Sequence, residues 1–160
     1  MTSEQERAER WLHRLIGNWT SVNEASAAPG ETVERSLGTE TVRTIGGTWI
    51  SVEGRTTSPE NFASTSLMTL GYDASRRRIV GAIVSSMMST LWVYEGALDD
   101  DDQTVTLDTE GPSFIVAGAT GRYRDVFAFD SDTQRVFTSS YLGEDGEWHR
   151  FMRTELHRVE

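Results

Sequence analysis

Apolar residues in the first sixteen positions recur at a helical period. Ala8, Trp11, Leu12, Leu15 and Ile16 follow an i, i+3, i+4, i+7, i+8 stripe. Ser3 with Glu6 three residues on is a capping-box pattern. Glu4 and Glu6 lie near the positive end of the helix dipole; Arg10, His13 and Arg14 lie near the negative end. Gly17 supplies the stop. The pattern predicts a helix over about residues 3–16. A helix of roughly 14 residues is marginal in water, so its apolar stripe must dock on the rest of the chain.

Beyond Gly17 the period changes to two. Alternation predicts strands over 18–24, 33–44, 48–57, 64–72, 78–85, 91–98, 104–108, 122–130, 135–142 and 147–159. The breaks carry turn chemistry: Gly46-Gly47, Asp73-Ala74-Ser75-Arg76, Asp99 to Asp102, Asp130-Ser131-Asp132 and Glu144-Asp145-Gly146. About ten short strands joined by tight polar turns predict an all-β fold. The expected form is an antiparallel up-and-down barrel over about 17–159, in a single domain of 1–160. A β-sandwich is the alternative, with Ala25 to Thr32 and Glu110 to Gly121 as its crossovers. Two strands, Ile79 to Val84 and Leu91 to Tyr94, are apolar on both faces. Something must cover their outer side, either the N-terminal helix or the second copy of a homodimer joined through 79–84 and 91–98.

Composition narrows the partners. The net charge is -10 and the isoelectric point near 4.7, a field that repels nucleic acid and anionic membranes. The chain has no cysteine, hence no disulfide and no thiolate ligand or nucleophile. No signal peptide is visible, and no apolar run approaches the ~18 residues of a spanning helix. A soluble, cytoplasmic protein is the expectation.

Several short motifs now fall into an order. A Gly-x-Trp at Gly17-Asn18-Trp19, after a small helix, resembles the opening of lipocalin-like (calycin) barrels. Leu15 to Trp19, Arg43 to Trp49, Leu70-Gly71-Tyr72-Asp73, Tyr94 to Asp99 and Arg122-Tyr123-Arg124 together resemble the DUF1579 family of small bacterial proteins, over about residues 11–158. Thr48 departs from the larger basic residue expected after the paired glycines. The resemblance implies a barrel and says little about activity.

Signatures of catalysis are absent. There is no Gly-x-Ser-x-Gly elbow, phosphate loop, Gly-x-Gly-x-x-Gly or His-Glu-x-x-His. His149 and His157 fall on one strand and, by strict alternation, one face. Eight residues at about 3.3 Å each put them roughly 26 Å apart, too far to share a metal. No metal site is expected. His157 stands where nitrobindin-type barrels, which also open with Gly-x-Trp, place an axial haem ligand. The histidine-rich early strands of that family are missing, so no cofactor is expected, with haem at His157 as the alternative. Asp99 to Asp102 lacks the glycine turn and later bidentate acid of a calcium loop. Arg76-Arg77-Arg78 reads as a solvated turn.

A barrel of this size needs packing side chains or a ligand in its lumen. Candidate ligand-binding residues are Trp49, Met87, Met88, Trp92, Tyr94, Tyr123, Phe127, Tyr141 and Phe151. Met87-Met88 has the character of an adaptable mouth loop. Among the charges in predicted strands (Glu53, Glu95, Arg124, Asp125 and Arg150), Glu95, Arg124 and Glu53 are the catalytic candidates. A buried carboxylate would suit proton transfer. Three functions follow: a carrier or sensor of an apolar small molecule; a cofactor-independent cyclase or isomerase acting by shape on a flexible natural product; or a structural protein with a packed barrel.

Overall fold

The computed structural model describes residues 3–26, 32–57 and 63–159. One helix, α1 (Ser3–Arg14), precedes ten strands: β1 (Gly17–Ala25), β2 (Glu34–Ile45), β3 (Trp49–Thr57), β4 (Ala63–Asp73), β5 (Arg78–Ser85), β6 (Trp92–Leu98), β7 (Thr104–Pro112), β8 (Thr120–Ser131), β9 (Gln134–Leu142) and β10 (Trp148–Val159). Every strand pairs with its sequence neighbour, and β1 pairs with β10, which closes an antiparallel barrel. Closure rules out the sandwich. Glu110 to Gly121 is no crossover: β7 continues to Pro112, and a short loop leads into β8. Of the other supposed crossover, residues 27–31 lie outside the described residues. No helix among the described residues is long and apolar enough to cross a membrane.

The helix is shorter than its apolar stripe. It ends at Arg14, and tight turns carry Leu15 and Ile16 (Leu15 N–H to Leu12 C=O, 3.1 Å; Ile16 N–H to His13 C=O, 3.2 Å). Gly17 then adopts a φ of 133°, open to glycine alone at low cost. This turn lays α1 across one end of the barrel. Trp11, Leu12, Leu15 and Trp19 form the plug, each no more than 2% exposed. Trp11 meets Phe127 and Phe129 edge-on, at 5.8 and 5.5 Å between centroids. Its indole N–H donates to the Gln103 carbonyl (3.0 Å), and the Trp19 indole N–H donates to the Leu15 carbonyl (2.8 Å). Trp11→Phe should therefore cost about 1–2 kcal/mol, read as a lower urea midpoint.

The helix thus covers an end and not the outer face of β5 and β6, so of the two covers expected from the sequence the helix is ruled out. Val84 and Val93 remain 45 and 60% exposed there, beside Leu67 of β4 at 46%. The register shifts at two places among the described residues, between Phe129 and Ser131 on β8 and between Arg150 and Met152 on β10. The second, a bulge, resets β10. It separates the two histidines that strict alternation put on one face. His149 lies opposite Tyr141 and stacks on its ring at 5.2 Å, on the lumen side. His157 is on the outer surface, with Nε2 2.9 Å from Glu155 Oε1.

Candidate functional site

With one end plugged, the lumen opens toward the other, where the β5–β6, β7–β8 and β9–β10 loops lie. Two cavities occupy it. The first, about 170 Å³, is lined by Trp92, Tyr94, Phe114, Tyr123, Phe137 and Phe151, with Ile83, Met88 and Met152. The second, about 260 Å³, lies toward β1–β4. Its walls bear Ser21, Asn23, Thr56, Ser64 and Ser66 together with Val52, Met68 and Phe127. Ile83, Met88, Phe137 and Met152 are common to both cavities, so the two adjoin.

The aromatic cavity follows from parity. Tyr123, Asp125, Phe127 and Phe129 are consecutive inward positions of β8, as are Trp92 and Tyr94 on β6. Tyr123 meets Trp92 at 5.1 Å and Phe114 at 5.0 Å, and Phe114 meets Phe151 at 5.5 Å. The Tyr123 hydroxyl donates to the Pro112 carbonyl (2.6 Å) and accepts from the Phe114 N–H (3.2 Å). These bonds hold the β7–β8 loop over the aromatic cavity as a roof.

Asp125, Tyr94, Ser139, Trp92 and Thr109 bring polar groups to this apolar space. Asp125, 9% exposed, accepts a short hydrogen bond from the Tyr94 hydroxyl and a second from Ser139. Burial raises the Asp125 carboxyl above its ordinary value, and the two hydrogen bonds only partly oppose this. Burial, then the neighbouring Asp125, pushes the Tyr94 phenol well above its ordinary value. Trp92 Nε1 and Thr109 Oγ1 are buried and have no hydrogen-bond partner in the protein. Leaving such groups unpaired costs about 1–3 kcal/mol each.

The wall beside them is incomplete. β6 and β7 share only four register pairs, Glu95↔Asp108 to Leu98↔Val105. Above Glu95 the ladder pairing of the two strands ends. The Trp92 ring crosses the break and lies so closely on Gly111 that any Cβ there would collide with it. Outside is a groove of about 460 Å³.

At the closed end, Arg135 is 1% exposed. Its Nη2 donates to Glu40 Oε1 at 2.6 Å, and its guanidinium lies 4.5 Å from the Trp19 ring centroid. Its Nε and Nη1 have no partner in the protein. Glu40 borders the second cavity.

The sequence-derived candidates divide. Trp92, Tyr94, Tyr123, Phe151 and Met88 line the aromatic cavity; Phe127 lines the adjoining one; Tyr141 is buried beside them. Met87 is on the exposed rim, 51% accessible. Trp49 lies on the outer face, its ring over Gly71. Glu53, Glu95 and Arg124 also point outward, away from the lumen. They pair respectively with Arg55 (2.8 Å), with Arg76 and Arg78 (3.7 and 4.0 Å), and with Asp108 (3.0 Å). Arg124 also lies over Trp148 at 4.2 Å. The polar lumen groups that the sequence reading did not select are Asp125, Thr109 and Ser139. The signal was present for Asp125, which shares parity with Tyr123 and Phe127 while Arg124 does not. Among the described residues no cluster of His, Asp or Glu is arranged to hold a metal.

Comparison with known proteins agrees with this architecture. A model of the family described as "Protein of unknown function (DUF1579)" matches residues 4–158. No curated protein matches the sequence. Among solved structures, Rv2717c from M. tuberculosis superposes with a TM-score of 0.72 at 12% identity, covering 96% of this chain and 98% of that one. The S-type phycobiliprotein lyase CPES from Guillardia theta gives 0.66 at 14%, covering 100% and 99%. The barrel EF1p2_mFAP2b bound to DFHBI gives 0.52 at 12%, covering 95% and 99%. At these identities the likeness is one of fold.

Proposed function

From the premise that the chain belongs to the DUF1579 family, whose description leaves function open, we propose that it binds an apolar small molecule in the aromatic lumen, as a carrier or sensor. The unpartnered pair Trp92 Nε1 and Thr109 Oγ1 beside that cavity carries this reading. Trp92 offers a donor and Thr109 a donor or an acceptor, which suits a ring-bearing molecule with one carbonyl-type oxygen. A barrel of the same fold bound to a small molecule, DFHBI, is consistent with it. An interior already filled by its own side chains would favour a purely structural role, and the two adjoining cavities argue against that.

The test uses prodan, an uncharged naphthalene ketone. Its emission should shift to the blue and saturate at one molecule per chain. Trp92→Phe should weaken binding about 5- to 10-fold, the loss of roughly one hydrogen bond. Absence of saturable binding sinks the proposal.

A second reading rests on Asp125. A buried carboxyl with a raised pKa, hydrogen-bonded to Tyr94, is suited to giving or taking a proton. It would serve a cofactor-independent cyclase or isomerase, with Asp125 in the role first assigned to Glu95, Arg124 and Glu53. Native mass spectrometry and chromatography of molecules retained from the producing cell separate the two readings. A carrier holds the same molecule in wild type and Asp125→Asn. An enzyme accumulates a different, unconverted one in the variant.

A further inference from the structure

We propose that the break between β6 and β7 is a lateral window through which an uncharged amphipathic small molecule passes into the lumen. The inference rests on the binding function proposed above.

Backbone geometry supports it first. The Asp99 N–H donates to the Thr104 carbonyl at 2.8 Å. Counting back by twos puts the backbone groups of Ala97, Glu95 and Val93 on the β7 side. Pairing stops at Glu95↔Asp108. Extending the same register would set Val93 opposite Glu110, and these two residues have no such pairing. An interrupted ladder in the wall of an otherwise closed barrel leaves polar backbone that a passing ligand can meet.

The surroundings support it second. Tyr94, Thr109 and Tyr123 line both the outer groove and the aromatic cavity, so one layer of side chains separates them. Thr109, with one of the two unpartnered groups, lies in that layer, and Trp92, with the other, lines the cavity behind it. Overhead the cavity is roofed by Phe114, fixed through the Tyr123 hydroxyl. At the window the barrier is Tyr94, Thr109 and Tyr123, and on the cavity side the Trp92 ring rests on Gly111. Within that layer the Thr109 side chain has no hydrogen bond to hold it, whereas the roof is tied by two bonds through Tyr123.

Charge sets the ligand class. The groove carries Arg76, Arg122 and Arg124 against Glu95, Asp108 and Glu110. They are matched as Arg76–Glu95, Arg122–Glu110 and Arg124–Asp108 ion pairs. A balanced rim neither gathers nor repels one sign of charge. It suits a molecule with polar atoms and no net charge.

The absence of native cysteine allows a direct test. Val93→Cys/Glu110→Cys is joined across the break with bis-maleimidoethane and verified by mass. Stopped-flow uptake of prodan should slow at least tenfold, with little change in equilibrium affinity. A control linked at Val126→Cys/Thr138→Cys, within the stretch of β8–β9 paired without interruption from Tyr123 to Phe129, should stay within about twofold of wild type. Uptake unaffected by the window link overturns the window and leaves the binding function standing. No prodan uptake by wild type overturns the binding function, and the window with it. Hydrogen exchange on the unlinked protein decides independently of any probe. The Val93 and Glu110 amides should exchange at least 100-fold faster than those of Ala97 and Thr106. Equal protection removes the window.

Discussion

Glu40→Leu should destabilise the barrel by about 3–5 kcal/mol, the cost of stranding a buried charge. Arg135 is 1% exposed, and Glu40 is its one carboxylate partner among the described residues, at 2.6 Å. Its Nε and Nη1 already lack partners, so no second acceptor compensates. Stacking on Trp19 at 4.5 Å retains some cation–π attraction, which is smaller than the lost ion pair. The double variant Glu40→Leu/Arg135→Met should return to within about 1 kcal/mol of wild type, because removing both charges also removes both desolvation costs. Urea unfolding of the four proteins of this cycle measures it. Losses that simply add in the double variant would show that the pair does not act as a unit.

Most of the container was legible in the sequence because periodicity is a backbone property. Ten strands and the helix follow from alternation, Gly17 and the turn residues. The end of β7 differs from the expected Asp108: Thr109 continues the alternation, and turn residues begin only with Gly111-Pro112. The lumen was legible only in part. Glu53, Glu95 and Arg124 were chosen for charge and motif, whereas parity decides which side of the wall a residue occupies. Glu95 lies between inward Tyr94 and inward Gly96, and Arg124 between inward Tyr123 and inward Asp125. The β10 bulge was not legible, since nothing in Arg150-Phe151-Met152 departs from an ordinary strand composition. It turns both Phe151 and Met152 to the cavity and reverses the parity of everything after it. Nor could the β6–β7 break be read from single-strand patterns, because it is a relation between two strands.

Asp125→Asn should make the protein more stable at pH 7, by about 1–3 kcal/mol, the usual scale for an imperfectly compensated buried polar group. The folded carboxyl titrates above its ordinary value of 3.8 because burial disfavours the charged form. The folded state therefore holds this proton more tightly than the unfolded chain does. Its stabilising effect is complete below the ordinary value and is lost as pH rises through the raised one. Asparagine keeps the shape and can still accept from Tyr94 and Ser139, and it never acquires the charge. The two proteins should be about equally stable near pH 3.5 and diverge with rising pH in favour of the variant. Urea midpoints across that range provide the measurement. A variant that is less stable at pH 7, with an unchanged pH slope, would show that the carboxylate is well accommodated when ionised. A buried carboxylate set among aromatic rings is costly for a core whose only task is to pack. Its presence in the lumen, beside two unpartnered polar groups, is what a site that handles a ligand's oxygen would require.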